Sequence, residues 1–437
     1  MTGATFPLTR RQALAGLGGL ILAPADPAAA TVPRQVLALQ ASPGSASLRA
    51  GLPDVPVWAL GVTPGNVLRF KRGDEVEVTL ENQLPAPVVL NWHGIDGAAA
   101  SEPLIGRPAL ATGGKDSFVV QMRHSGSFLC DLRLLGDGGK RPLPALSFIV
   151  AESEQVPADR DETLLIEDWR LGSDGPLAPG GKTSDAATLY TVNGRPAADI
   201  TLRANERLRL RLINGCHRTP IALKLHNHQA TVMAIDGQPA EPFLARDGAL
   251  VLAPGTRVDA FVDAAGPPGS TSPIVLHDGR EPRPIGRLLT ANDTPARPAP
   301  LAAPISLPSN GLPPQLELKN AHRFELALGG PRSDWIAPGS LTTATTPAFR
   351  TKAGRIVVLT LTNREALPTV FHLHGHHFRL LDRLDDGWKP FWLDTLLIDA
   401  GQTQRIAFAA TSPGRWLVEA MAADWAAPRL VRWFAVE

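Results

Sequence analysis

A strand-length pattern written three times constrains this chain more than any other feature. Gly73-Asp74-Glu75-Val76-Glu77-Val78-Thr79-Leu80-Glu81-Asn82 alternates apolar and polar residues and stops at an asparagine. The same alternation, with the same stop, returns at residues 205–214 and 354–363. Period two is the mark of a half-buried β-strand, whose successive side chains face opposite ways. The closing asparagines, Asn82, Asn214 and Asn363, are 132 and 149 residues apart, each interval about the size of one β-sandwich domain. A second element also recurs: residues 252–259 and 399–406 each turn through glycine into a polar-apolar strand. Gly126-Ser127-Phe128 and Gly414-Arg415-Trp416 both place a glycine just before an aromatic strand. The 40 glycines and 41 prolines punctuate short apolar runs, as in an all-β chain. At 437 residues the chain has volume for several cores. The expected organisation is three tandem β-sandwiches at residues 31–155, 156–296 and 315–437, with the Pro-rich residues 297–314 as a linker.

Residues 1–30 read as a signal peptide. Thr9-Arg10-Arg11-Gln12 precedes a weakly apolar stretch, and Ala28-Ala29-Ala30 offers a cleavage site, the pattern of a twin-arginine signal. An ordinary secretory leader with two chance arginines is the alternative, and either one sends the mature chain out of the cytoplasm. The expected location is the periplasm, with the twin-arginine export machinery as a transient partner. Beyond the leader no run approaches the roughly 18 apolar residues of a spanning helix, so no transmembrane span is expected after signal removal. The formal net charge is +1, without the clustered Lys and Arg of a nucleic-acid footprint. No nucleic-acid partner is expected. Cys130 and Cys216 fall in different expected domains, so two buried thiols are expected rather than a disulfide.

The chemically loaded strings are Asn91-Trp92-His93-Gly94 and Phe371-His372-Leu373-His374-Gly375-His376-His377. On a strand His372 and His374 present two imidazoles to one side, and His93 joins them if the first and third domains dock. Three neutral imidazoles suit copper or zinc. The bland alternative is that all three are core histidines bonded to backbone carbonyls. His226 and His228 alternate along an expected strand at residues 223–232, a weak pairing with an ordinary structural explanation. His376 and His377 are expected in packing and at the strand edge. His124 and His217 flank turns. Asp168, Asp236 and Asp394 lie near strand ends without a partner that sequence can name. The Gly-x-Ser-x-Gly elbow, phosphate loop, dinucleotide fingerprint and zinc-protease helix motif are all missing.

Those histidine strings, the two glycine-aromatic strands and Asp394-Thr395 resemble a three-domain multicopper oxidase across essentially the whole mature chain. The resemblance implies three cupredoxin-like Greek-key sandwiches, a trinuclear copper cluster between the first and third domains, and a blue copper in the third. It also implies which ligand positions have changed. Asn91 stands in place of a histidine beside His93, Asp131 and Arg133 replace the histidine pair of the second motif, and Thr369 replaces the first blue-copper histidine ahead of His372 and His374. Glu419, Ala420 and Met421 stand where the His-Cys-His bridge belongs, Trp425 replaces the second blue-copper histidine, and Leu430 sits at the axial position.

A blue copper needs a thiolate, which also passes electrons to the cluster, and Ala420 supplies none. An Asp131–Arg133–Glu419 ion network is expected to stand in for the missing metal charge. No catalytic residue and no cofactor at full occupancy are expected; His93, His372 and His374 are the residual metal candidates, for at most one copper ion. Three methionines beyond the leader, Met122, Met233 and Met421, argue against a copper-capturing surface. The leading expectation is a pseudoenzyme of the degenerate, copper-free kind that resembles oxidase-like cell-division and envelope-stability proteins, with a periplasmic or envelope protein as partner. The alternatives are a copper-binding protein, or a residual oxidoreductase, built on the three histidines.

Overall fold

The computed structural model describes residues 34–62, 68–137, 139–181, 186–330, 334–342, 344–382, 387 and 389–437; the expected signal peptide lies outside them. Strands dominate, with four short 3₁₀ turns and no α-helix among the described residues. They form three pairs of facing sheets, each pair enclosing its own apolar cluster. This is the expected all-β fold of three cupredoxin-like sandwiches.

In the first sandwich one sheet runs Val55–Val62, Gln35–Ala46, Glu75–Asn82, Lys115–Gln121, and the other Arg69–Lys71, Ala145–Ala151, Gly126–Asp131, Asn91–His93. The second is larger. Its first sheet is centred on Arg160–Gly172, Arg207–Asn214 and Arg257–Asp263, and its five-stranded partner on Pro282–Thr290, Thr271–His277 and Ile221–Leu225. The third sets His322–Leu328, Ile356–Asn363, Thr403–Ala409 and Arg379–Leu381 against a sheet whose middle is Arg429–Val436, Gly414–Ala422 and Thr369–Leu373.

The thrice-written strand occupies the same place each time. It pairs parallel to the strand that opens its sandwich and antiparallel to a later one. Its closing asparagine is buried and does the same work in all three. Asn82 Oδ1 accepts from Leu84 N (3.0 Å) while Nδ2 donates to the Ala86 and Leu110 carbonyls (2.9 Å each). Asn214 accepts from Cys216 N and donates to Thr219 O and Leu252 O, and Asn363 accepts from Glu365 N and donates to Leu367 O and Ile398 O. One side chain thus closes the loop after the strand and ties it to a neighbouring segment. Only a short amide offers an acceptor and two donors in that space.

Two expectations are corrected. The strand expected within residues 205–214 runs Arg207–Asn214 and is buried on both faces, not half-buried. Its outer arginines reach other segments instead of water: Arg209 pairs with Glu152 and Asp259, and Arg211 with Asp161 and Asp259, while Asp259 accepts from Ser127 of the first sandwich (2.6 Å). The expected strand at residues 223–232 is broken at Asn227, whose φ of 57° is left-handed. His226 and His228 therefore lie in a turn, with His228 Nδ1 on the His226 carbonyl (3.0 Å), and do not share a strand face. Cys130 and Cys216 are free and buried.

Replacing Asn363 by alanine leaves two carbonyls, one N–H and the Thr369 hydroxyl to find new partners. At about 1 kcal/mol net for each of these four hydrogen bonds, Asn363→Ala should lower unfolding stability by about 2–4 kcal/mol, read as a fall in denaturant midpoint. A shift within error would show that the asparagine is not what holds this loop.

Candidate functional site

The Asn91–His93 strand, at the edge of its sheet in the first sandwich, meets the Thr369–Leu373 and Gly414–Ala422 strands of the third through side chains. Register fixes who faces whom: Asn91 pairs with Asp131, His93 with Leu129, His372 with Glu419, Phe371 with Ala420. The three expected histidines do come together. The His93 and His372 rings are 4.2 Å apart between centroids at 31°, and His372 and His374 are 4.6 Å apart. All three are buried.

Their electrostatics differ sharply. His374 is held between two carboxylates, Nδ1 at 2.9 Å from Glu102 and Nε2 at 2.8 Å from Glu419. Burial opposes its charge, but Glu102 and Glu419 outweigh that and hold it up at about 10. His372 is pushed down to about 4 by burial and by the charged His374; its Nδ1 faces the Asp394 carbonyl and the Thr395 hydroxyl (3.1 Å each) and its Nε2 the Trp92 carbonyl (3.3 Å). Burial and His372 hold His93 well below its ordinary range. Its Nδ1 has no hydrogen-bond partner, and its Nε2 is 4.0 Å from Asp131 Oδ2.

Glu419 is the hub. Asn91 Nδ2 donates to its Oε1 (2.9 Å), His374 Nε2 shares that oxygen, and Arg429 Nη1 donates to Oε2. Burial penalises this carboxylate, yet Arg429 and His374 keep it well below the usual range. The expected Asp131–Arg133–Glu419 network is not what forms. Arg133 lies in a 3₁₀ turn beyond the strand, and its guanidinium points away, to Glu167 (2.8 Å) and to the Leu143 and Gly215 carbonyls. Only its backbone N–H reaches Asp131 (2.9 Å). Burial pushes Asp131 up, against the pull of Arg133 and Arg429. The cation on Glu419 is Arg429.

The other expected positions form a packed apolar region. Ala420 and Leu430 pair across strands in the third core, and Met421 packs on Ala253 and Val370. Thr369 donates to Asn363 Oδ1 (3.1 Å). The Trp425 indole N–H donates to the Ala178 carbonyl (3.0 Å), and its ring lies 5.2 Å from that of His217. A small cavity of about 20 Å³ remains, lined among others by His93, Asp131, Cys216, His372, Glu419 and Met421. That is room for one water or one ion.

Among these groups His372, His374 and Glu419 have donor atoms within 4.8 Å of one another. The donor set fits a metal poorly as it stands. A His374 that donates from both nitrogens has no lone pair to give, and two of its neighbours already spend their charge on it. His93 and His372, neutral imidazoles, are the donors left.

Several functional groups were not legible in advance. Glu102 also accepts from Leu417 N (2.8 Å), and neither it nor Arg429 belongs to a motif; the only available signal was that a buried Glu419 needs a counterion. Asp236 and Asp394, unpaired on sequence grounds, meet around Arg257: its guanidinium binds both Asp394 oxygens (3.1 and 2.6 Å), and Asp236 accepts from the Arg257, Asp394 and Thr395 N–H groups. Asp168 accepts from His217 and Thr219. His376 sits among Phe408, Trp416 and Phe434 as expected, but His377 is more than packing, because its Nδ1 lies 2.8 Å from Asp96.

Three sequence families, each described as Multicopper oxidase, match residues 49–128, 151–272 and 315–437. The chain belongs to the multicopper oxidase family. Multicopper oxidase MmcO of Mycobacterium tuberculosis (strain ATCC 25618 / H37Rv) is 26% identical over 436 residues, covering 86% of this chain and 82% of that protein. Laccase-12 of Arabidopsis thaliana is 24% identical over 234 residues, and the match spans only 40% of its length and 48% of this chain. Among solved structures, Lac15 from a marine microbial metagenome superposes with a TM-score of 0.74 at 26% identity, covering 92% of this chain and 100% of that one. A multicopper oxidase from Pseudomonas thermotolerans gives 0.77 at 24% identity, covering 92% and 99%. The family binds copper, and the histidine and carboxylate groups above could hold a metal ion.

Two consequences follow from the His374 clamp. The folded state keeps this proton up to about pH 10, whereas the unfolded chain releases it near 6.5. The stability it contributes is whole below about pH 6.5 and is lost as pH rises through the folded value. Glu102→Gln, which keeps the acceptor for Leu417, should flatten that decline; denaturant midpoints across the range should converge for wild type and variant at high pH, and parallel curves would refute the clamp. Arg429→Met, which strands a buried carboxylate, should cost about 3–5 kcal/mol, measured in the same way.

Proposed function

We propose that this multicopper oxidase family member works without the copper redox cycle, as an exported, non-catalytic protein of the periplasm whose role is exerted through its surfaces on an envelope or division protein. One observation carries the reading: both oxygens of Glu419 are taken by Asn91, His374 and Arg429, so positive charge from the protein stands where the family's trinuclear cluster would supply it. The electron path is missing as well. Ala420 brings no sulfur, and burial pushes Cys130 and Cys216 up, away from the thiolate form. Without a thiolate there is no blue copper and no relay to a cluster. Export by the twin-arginine route rests on Arg10-Arg11 and the apolar stretch after them. Among the described residues no helix is long and apolar enough to cross a membrane.

A second reading is favoured by the small cavity and the unpartnered His93 Nδ1. In it one copper ion is held by His93 and His372, with His374 joining only after it gives up its proton. The two readings part on metal content. Protein exported in copper-supplemented cells should carry copper far below one ion per chain, show no thiolate-to-copper absorbance, and leave phenols and ferrous or cuprous ions unoxidised. Near-stoichiometric copper that is lost in a His372→Ala, His374→Ala double variant would overturn the non-catalytic reading in favour of the second.

A further inference from the structure

A second cluster of metal-type donors lies outside the candidate centre. Asp96 follows the Asn91–His93 strand, His124 precedes the Gly126–Asp131 strand, and His377 follows the Thr369–Leu373 strand, so two sandwiches contribute. Asp96 Oδ2 is 2.8 Å from His377 Nδ1 and 3.5 Å from His124 Nδ1, and one donor atom from each residue lies within 4.8 Å of the others. With metal–nitrogen and metal–oxygen bonds of about 2.0–2.2 Å, tetrahedral ligands sit roughly 3.3–3.5 Å apart. The Asp96–His124 separation matches that spacing, and the Asp96–His377 contact, a hydrogen bond as it stands, would open by about half an ångström.

One outer contact is of the kind a metal-binding imidazole makes. His377 Nε2 lies 3.0 Å from the Asp236 carbonyl, the outer hydrogen bond that orients a metal-binding imidazole and leaves the other nitrogen to the metal. Gln238, its Oε1 held by Asn310 Nδ2 (3.1 Å), donates from Nε2 to His124 Nδ1 (3.0 Å) and lies 3.4 Å from His377 Nε2, so this amide must give way when His124 Nδ1 takes an ion. Gln238 and Asn310 also line a cleft of about 450 Å³ bordered by Leu307, Arg379 and Trp392, and the Asp96 side chain is 13% exposed. Asp96 and His124 thus keep only a narrow face toward solvent.

We propose that Asp96, His124 and His377 bind one divalent ion of the borderline class, such as zinc, with water completing a four-coordinate site. Two imidazoles and a carboxylate suit that class, and the lack of sulfur disfavours cuprous ion. On binding, the proton between His377 Nδ1 and Asp96 leaves to solvent, so one proton is released for each ion bound. The ion ties the first sandwich to the third beside an existing seam, where Gly97 N donates to Gly375 O (3.1 Å). Its role is a clasp between domains, and it stands whether or not the candidate centre holds copper.

Cobalt(II) is the probe, added to chelator-treated full-length mature protein. One equivalent should bind with the intense visible absorbance of a four-coordinate ion, and zinc should displace it. Binding should survive in a His93→Gln, His372→Gln variant and weaken more than tenfold in Asp96→Asn and in His124→Gln, with thermal midpoints measured without metal confirming that each variant is folded. Should a variant not fold, anomalous scattering from cobalt in a wild-type crystal locates the ion directly. Failure of the wild type to take up cobalt, unchanged binding in the folded Asp96→Asn and His124→Gln proteins, or an anomalous peak at His93 and His372 instead would overturn the proposal.

Discussion

The guanidinium of Arg257 is the fixed point on which the inner structure turns. It is fully buried, and it donates to the Ser127 carbonyl of the first sandwich, to the Gly255 and Asp236 carbonyls of the second, and to both carboxylate oxygens of Asp394 in the third. A planar fork with five donors is the one side chain able to address three domains at once. Burial penalises its charge, yet Asp394 and Asp236 outweigh that and raise its pKa further. Asp394, held well below its ordinary range by the same pairing, sets the carbonyl and the neighbouring Thr395 hydroxyl that meet His372. Asp236 offers the carbonyl that meets His377. The orientation of both histidine clusters therefore depends on one interdomain ion pair, and removing any partner would leave a buried charge uncompensated.

Charge compensation also explains why the candidate centre is shaped as it is. A buried carboxylate is tolerated only with a cation and filled hydrogen bonds. Glu419 has a permanent cation in Arg429 and a second in His374, and Glu102 balances the latter. The result is two carboxylates against two cations within bonding reach, a set that is neutral without a metal. His93 and His372, a ring's thickness away, respond to that set by staying neutral. Introducing a divalent ion there must either expel the His374 proton or accept repulsion from two positive neighbours. In the Asp96 cluster the demand is of the same kind but smaller: Asp96 holds His377 up at about 9 against burial, so one proton must leave before Nδ1 can take an ion, but no arginine is bonded to the carboxylate as Arg429 is to Glu419.

The sequence made the scaffold legible and the wiring much less so. Period-two strands ending in asparagine are local patterns, and their local cause, the side-chain amide closing the next loop, holds at Asn82, Asn214 and Asn363 alike. That His372 and His374 share a face was legible too, because strand alternation fixes it, whereas His93 was expected to join them only if the first and third domains dock, as they do. Arg133 was misplaced for the opposite reason. Counting along a strand presumes the strand continues, and here the chain turns at Leu132 into a 3₁₀ turn that sends the guanidinium to Glu167. Glu102 and Asp96 act across domain seams, at separations in sequence that no periodicity encodes, and Arg429 reaches Glu419 diagonally from the neighbouring strand of the same sheet.

The packing of the third sandwich shows why its fold carries so little information about chemistry. Ala420, Leu430 and Thr369 occupy strand positions whose backbone pairing is intact, and Ala420 and Leu430 simply join the core around Phe371, Phe434 and Trp416. Near them the Trp425 indole fills space and anchors on the Ala178 carbonyl of the second sandwich, its ring tilted 56° to that of His217. Apolar burial at such positions is favourable in its own right, at about 25 cal/mol per Å² removed from water, so the sandwich needs no metal to hold this region closed. A cupredoxin-like scaffold is thus stable over a wide range of occupants at these positions. Family membership fixes where a metal centre would be, and only the side chains there decide what it does.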